Sequence, residues 1–355
     1  MIDYMKIINE EYEFSKLLFK NKKILIIWYK YEENTNYSDM EILDYQLYDL
    51  SQDEEIIKND FYIIKDMVVR GEAHNLSEGQ TSYLGACTKG ADSSKTRQQP
   101  NNKKEAKPRA FCLKNSYMTG ILRSLIFGNQ LNTEIREFKT IHEYVYNQLK
   151  HYIGKTQLEI YNMVTGEDYT NKIPKNINKM VSDRLIGKDN ELENKSELFK
   201  KTTYIIKNLP VYLDGVPVER MSFRNLRLSE FEKSWDESDW KQYFEEVTLL
   251  VICYEAENKE ERNGHRKLKG IETISFTDED LEGIKRGYEM VQKAIESKNI
   301  EFLPYPNSYK NQIIEIAPKG IKGDDAYKNF FKNDTTKTTF MLSKSFLEKK
   351  LKNNK

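Results

Sequence analysis

The sequence has 355 residues, 32% of them charged, and its 56 basic side chains balance its 56 acidic ones. Its longest apolar runs, Ile24–Tyr29 and Val247–Tyr254, fall far short of the ~20 residues that a membrane helix needs, and the N-terminus lacks the basic-then-apolar pattern of a signal peptide, so a soluble cytoplasmic protein with no membrane partner is expected. Cys87, Cys112 and Cys253 form no CxxC pair and His74, His142, His151 and His265 no i,i+4 pair, which argues against a thiolate zinc site or a histidine-built metal hydrolase.

In chain order, an apolar β-rich strand is expected over Ile24–Tyr31, then a helix over Glu54–Val68 that opens on acidic residues, as suits a helix N-terminus. An extended segment ends in Lys89-Gly90, a polar loop follows, and Phe111-x-Leu113 leads into a helix over Asn115–Phe127. Past a boundary near Glu134–Phe138, Thr140–Tyr152 spaces Ile141, Tyr144, Val145 and Leu149 on one helical face, and Leu158–Val164 continues helical. Thr203–Val211 is a strand, and Asp214-Gly215 signals a hairpin into Val216–Phe223. Trp235 and Trp240 are expected to pack on the core of this half. A strand over Thr248–Tyr254, a helix over Asp278–Ile295, Lys319-Gly320, Phe340-x-Leu342 and a helix over Ser343–Lys352 close the chain.

The second series repeats the first. Leu25-Ile26-Ile27-Trp28-Tyr29 matches Leu250-Val251-Ile252-Cys253-Tyr254, and Ile57-Lys58, Lys89-Gly90 and Phe111 match Ile284-Lys285, Lys319-Gly320 and Phe340, with offsets that stay between 225 and 230. Alternating strands and helices indicate an α/β (α+β) fold. Only 24 residues precede Leu25, whereas a much longer stretch lies between the boundary and Leu250. The expectation is therefore a partial domain over 1–130, holding the back half only, and a complete one over 131–355. The strand Ile24–Tyr31 then lacks neighbours, and its edge and apolar side chains are open to another chain.

Charge is local. Ala86–Arg123 carries nine basic and two acidic residues, a net of +7 over 38 residues, a candidate phosphate-binding surface. Arg97, Lys103, Lys104 and Lys107 read as a loop that DNA could order. His74-Asn75-Leu76-Ser77-Glu78-Gly79 reads as a serine-capped turn, and Asp183 as a surface carboxylate.

Gly71–Ala91 (GEAHNLSEGQTSYLGACTKGA) and Arg109–Met118 (RAFCLKNSYM) resemble the MutH family. That family comprises the mismatch-repair nicking enzyme and its GATC-cutting type II restriction relatives of the Sau-three-A type, which carry two MutH-like domains in tandem. The resemblance implies a restriction-endonuclease-like core, a mixed sheet flanked by helices. It also implies a catalytic Asp followed seven residues later by Glu-x-Lys, because two carboxylates hold Mg²⁺, the metal activates water, and the lysine supports the phosphate charge.

In the second half Lys207 occupies the lysine position, but Ile205 stands at the glutamate position and Leu198, beside Glu197, at the aspartate position. A neighbouring carboxylate cannot replace an apolar residue on a strand, where successive side chains face opposite ways. Leu198, Ile205 and Lys207 therefore read as a vestigial catalytic set in a pseudo-nuclease domain. The family analogy puts Lys89 and Lys319 against the DNA and places Cys87 and Cys112 at positions that sense methylation in MutH; Lys114 and Lys344, which follow the two Phe-x-Leu segments, and Arg97 of the basic run are further expected DNA contacts.

The resulting expectation is a double-stranded-DNA-binding portion of a MutH-like restriction endonuclease that needs no cofactor of its own. One alternative is an active Mg²⁺-dependent nuclease, with a separately encoded catalytic half or with a displaced site built from Glu197, Asp183 and Lys207. Another is a protein-interaction or assembly module that has lost DNA binding; besides double-stranded DNA, the partners expected are a separately encoded catalytic half or a second copy of the chain through self-association.

Overall fold

The computed structural model describes residues 1–32, 35–88, 95–127, 140–170, 172–186, 202–320 and 322–353. The chain divides into two compact units: Met1–Leu76 with Thr81–Leu113, and Ser77–Gln80 with Lys114–Lys355. The boundary thus falls at Leu113, ahead of the expected 130, and the Asn115–Phe127 helix goes with the second unit. Both units mix strands with helices.

In the first unit, β1 (Lys23–Tyr29) and β2 (Ile42–Asp49) form an antiparallel ribbon. Helix α1 (Glu54–Val69) follows, with Glu54 and Glu55 in its first turn, where acidic groups complement the helix dipole. Ile57, Phe61, Ile64 and Val68 recur at helical spacing and form its buried stripe. Asp60 on this helix is fully buried, and its carboxylate accepts backbone N–H bonds from Ser82 (2.8 Å), Tyr83 (2.6 Å) and Leu84 (2.9 Å). It thereby ties α1 to the start of β3 (Leu84–Thr88).

The expected polar loop is structured on both sides of a tight turn. Strands β4 (Arg97–Gln99) and β5 (Asn102–Ala106) form a hairpin, with Asn101 in the left-handed region at φ 58°. Asparagine is among the few non-glycine residues that accept that conformation. Beyond it, β6 (Arg109–Leu113) pairs antiparallel with β3.

The second unit opens with α2 (Asn115–Phe127), α3 (Ile141–Leu149), α4 (Gln157–Thr165) and α5 (Ile177–Ile186). Thr140 caps α3, and Thr156 with Glu159 forms a capping box on α4. Ile141, Val145 and Leu149 on α3 are buried as their spacing predicts, whereas Tyr146 is left exposed.

Strand β7 (Tyr204–Tyr212) turns through Gly215, φ 86°, towards β8 (Met221–Arg227). The Asp214-Gly215 signal marks this turn, but the two strands then part. β7 joins β9 (Thr248–Ala256) in parallel, and β9 pairs antiparallel with β10 (Lys267–Ile274). β8 instead joins a second sheet, in which β12 (Thr335–Leu342) lies between it and β11 (Ile314–Pro318).

Ser238 caps α6 (Asp239–Glu246), and a capping box of Thr277 and Asp280 starts α7 (Asp278–Ser297). Helix α8 (Lys344–Asn353) closes the unit. Leu209, Val211, Phe223, Leu249, Val251, Ile284, Ile314 and Phe340 form one apolar core, and Trp235 and Trp240 pack in it as expected. Among the described residues no helix is long and apolar enough to cross a membrane.

The two ribbons differ in cover. Leu250, Ile252 and Tyr254 on β9 are at most 1% exposed. The residues matched to them on β1, Leu25, Ile27 and Tyr29, are 59, 49 and 47% exposed, and Tyr45 and Leu47 opposite them are more open still.

Candidate functional site

On β7 the residues 205, 207, 209 and 211 share one face, because side chains alternate along a strand. Leu209 and Val211 contribute to the core, and Ile205 packs against it. The Lys207 stem follows the same face, and its Nζ emerges at β8, where it donates to the Ser222 carbonyl at 2.7 Å and lies 5.3 Å from the centre of the Phe223 ring. Lys319 comes from the end of β11, and its Nζ donates to the very next carbonyl, that of Phe223, also at 2.7 Å.

Successive carbonyls of a regular strand point opposite ways. Here the register between β8 and β12 shifts in the stretch that runs from Ser222 to Asn225. Such an irregularity re-aims backbone groups beside a functional site. Burial, and after it the charge of Lys319, pull the Lys207 ammonium from 10.5 down to about 8. Among the described residues, neither lysine has a carboxylate partner within salt-bridge distance.

Nearby cations on β8 and immediately before it are already engaged. Arg224 pairs with Glu230 and stacks on the Trp240 ring at 4.4 Å from its centre. Arg220 pairs at 3.0 Å with the buried Glu315, whose carboxyl burial pushes upward.

The structure brings only part of the expected set together. Lys207 and Lys319, not linked beforehand, converge. Lys344 begins α8 beyond Leu342, whereas Lys319 lies beside Lys337 at the far end of the same ladder. At ~3.3 Å per strand residue the two are roughly 20 Å apart along β12.

Lys114 is 2% exposed and has interactions within the protein, so it does not offer its charge to a duplex, contrary to the expected contact. Arg97 is exposed on the β4–β5 hairpin beside Lys95, Lys103 and Lys104. Lys89, Glu197 and Leu198 lie outside the described residues.

His74 serves structure. Its Nδ1 meets Gln99 Nε2 at 3.0 Å, Gln99 Oε1 accepts from the Ala73 N–H at 2.7 Å, and burial followed by Lys104 holds the imidazole below its ordinary value. Asp183 pairs with Lys179 at 2.6 Å, one helical turn away, as a surface carboxylate does. Sequence reasoning missed Asp60, whose position inside an amphipathic stripe was the available signal.

The arrangement holds two cationic groups over a strand face with an apolar residue at the glutamate position. It can bind an anion; the described side chains beside it supply no pair of carboxylates for a divalent metal.

The family model for the DNA mismatch repair enzyme MutH matches residues 1–60. The chain is 32% identical over 328 residues to the type II restriction enzyme Sau3AI of Staphylococcus aureus, an alignment that covers 86% of this chain and 65% of that enzyme. The chain thus spans somewhat less than two thirds of the length of this relative. With the mixed α/β core described above, the chain belongs to the MutH-like family in which Sau3AI-type restriction enzymes fall.

Proposed function

We propose that this chain serves DNA restriction by binding double-stranded DNA through its second unit without cutting it there. The observation that carries this reading is Ile205. At the position where the family resemblance calls for a metal-binding glutamate, the strand bears an apolar side chain packed on the core, while Lys207, two residues on, is kept. A site that retains its phosphate-directed lysine and lacks that metal ligand suits binding better than hydrolysis. In this reading both compact units are MutH-like, and the second is a pseudo-nuclease.

Exposed Arg97, with Lys95, Lys103 and Lys104 on the β4–β5 hairpin, adds a second basic surface. Salt dependence tests the reading: each phosphate neutralised contributes about −0.9 to the slope of log affinity against log salt. Binding of a GATC-containing duplex by the full chain should fall steeply from low to physiological salt. A flat profile, or no binding, would reject DNA as the partner.

A further inference from the structure

Resting on the DNA-binding reading, we propose that Lys207 and Lys319, held on the irregular stretch of β8, form a binding site for a single backbone phosphate that works without a metal ion. The charge of the side chains at this strand face is the reverse of the arrangement that the resemblance implies. In the family resemblance this place holds a cation between carboxylates. Here the described side chains present two ammonium groups and the apolar Ile205.

Each ammonium has three N–H donors. One from each is fixed by a β8 carbonyl, at 2.7 Å in both cases, which orients the two groups and leaves the remaining donors for a ligand. The carbonyls belong to consecutive residues, Ser222 and Phe223, so the two Nζ atoms approach the same stretch of strand. Two like charges beside each other, one of them largely withdrawn from water, repel unless an anion joins them. A phosphodiester oxygen pair is such an anion, and lysine binds phosphate as a point charge with no need for the planar fork of arginine. Arg224 and Arg220 do not compete for that role, since Glu230 and Glu315 already hold them.

Two lysines on one phosphate make a prediction that two independent contacts do not. The full chain is titrated with a short fluorescein-labelled GATC duplex in EDTA over a range of KCl concentrations. Lys207→Gln, Lys319→Gln and the double variant should each shorten the log–log salt slope by about 0.9, the double by no more than the singles. Replacing EDTA by Mg²⁺ at constant ionic strength should give no gain in affinity.

A double variant that loses about twice the slope would show two separate phosphates. Unchanged slopes, or a Mg²⁺-dependent gain that Lys207→Gln abolishes, would likewise overturn the site. Lys319 is exposed, so its variant reports on the site even if the Lys207 variant folds poorly. Should wild type ignore DNA, inorganic phosphate separates the two claims. A rise in melting temperature that Lys319→Gln removes keeps the anion site and retires DNA as its ligand, whereas no rise removes both.

Discussion

Lys207 sets the energetics of the second unit as well as its chemistry. Its ammonium is lowered to about 8 in the fold, from 10.5. In an unfolded chain it would keep the ordinary value, so between those two pH values the unfolded state binds more protons and stability rises with pH. The penalty for holding the charge is fully present below about pH 8 and is relieved as pH climbs towards 10.5. At 1.36 kcal/mol per unit the penalty is at most about 3 kcal/mol, and remaining solvent contact reduces it.

Lys207→Met, which keeps the stem and removes the charge, should therefore raise the melting temperature of the second unit at pH 7. It should also flatten the rise in stability between pH 8 and 10. Destabilisation at pH 7 would mean that the carbonyl of Ser222 and the Phe223 ring offset the cost of burial. Asp60 illustrates the opposite case, a buried carboxyl group that accepts three backbone N–H bonds.

At the scale of elements, the paired ribbons give an internal control. Leu25 and Leu250 occupy matched positions on β1 and β9, but one is 59% exposed and the other fully buried. Removing buried methyl groups costs their transfer energy plus a cavity, whereas at an open site neither applies. Leu250→Ala should cost about 2–5 kcal/mol, and Leu25→Ala no more than about 0.5 kcal/mol. Urea denaturation of the full chain with amide exchange resolves the two units. Equal costs would show that the outer face of β1 is covered in solution.

Leu25, Ile27 and Tyr29 on β1 and Tyr45 and Leu47 opposite them are exposed side by side, and a contiguous apolar patch of this kind marks an interaction or aggregation site. Chain self-association at this ribbon is the corresponding physical hazard.

Across the whole molecule, the readable features were those written in local pattern. ILIIWY and TLLVICY announce β1 and β9, and acidic or threonine starts announce α1, α3 and α7. The β4–β5 hairpin was hidden because its strands are charged and exposed, so no apolar alternation marks them; its one local clue was Pro100-Asn101. Nor could spacing show that β7 and β8, joined by a tight turn, enter different sheets.

Lys319 was singled out by its repeat with Lys89, and Lys207 by family position. Their meeting depends on the register shift in β8, which has no signature in the sequence. Burial of Lys114 was missed for a similar reason: a lysine reads as exposed until the elements on either side of it are placed.

Binding of DNA without cutting it can be tested in one titration. The full chain is mixed with a GATC-containing duplex in Mg²⁺ at low salt, part of each sample is run as a gel shift, and the rest is deproteinised and run on a denaturing gel. A saturable shift with both strands intact at every protein concentration is expected. Site-specific nicks or breaks that grow with protein and vanish in Lys207→Ala would contradict it, and would make the second unit a working nuclease.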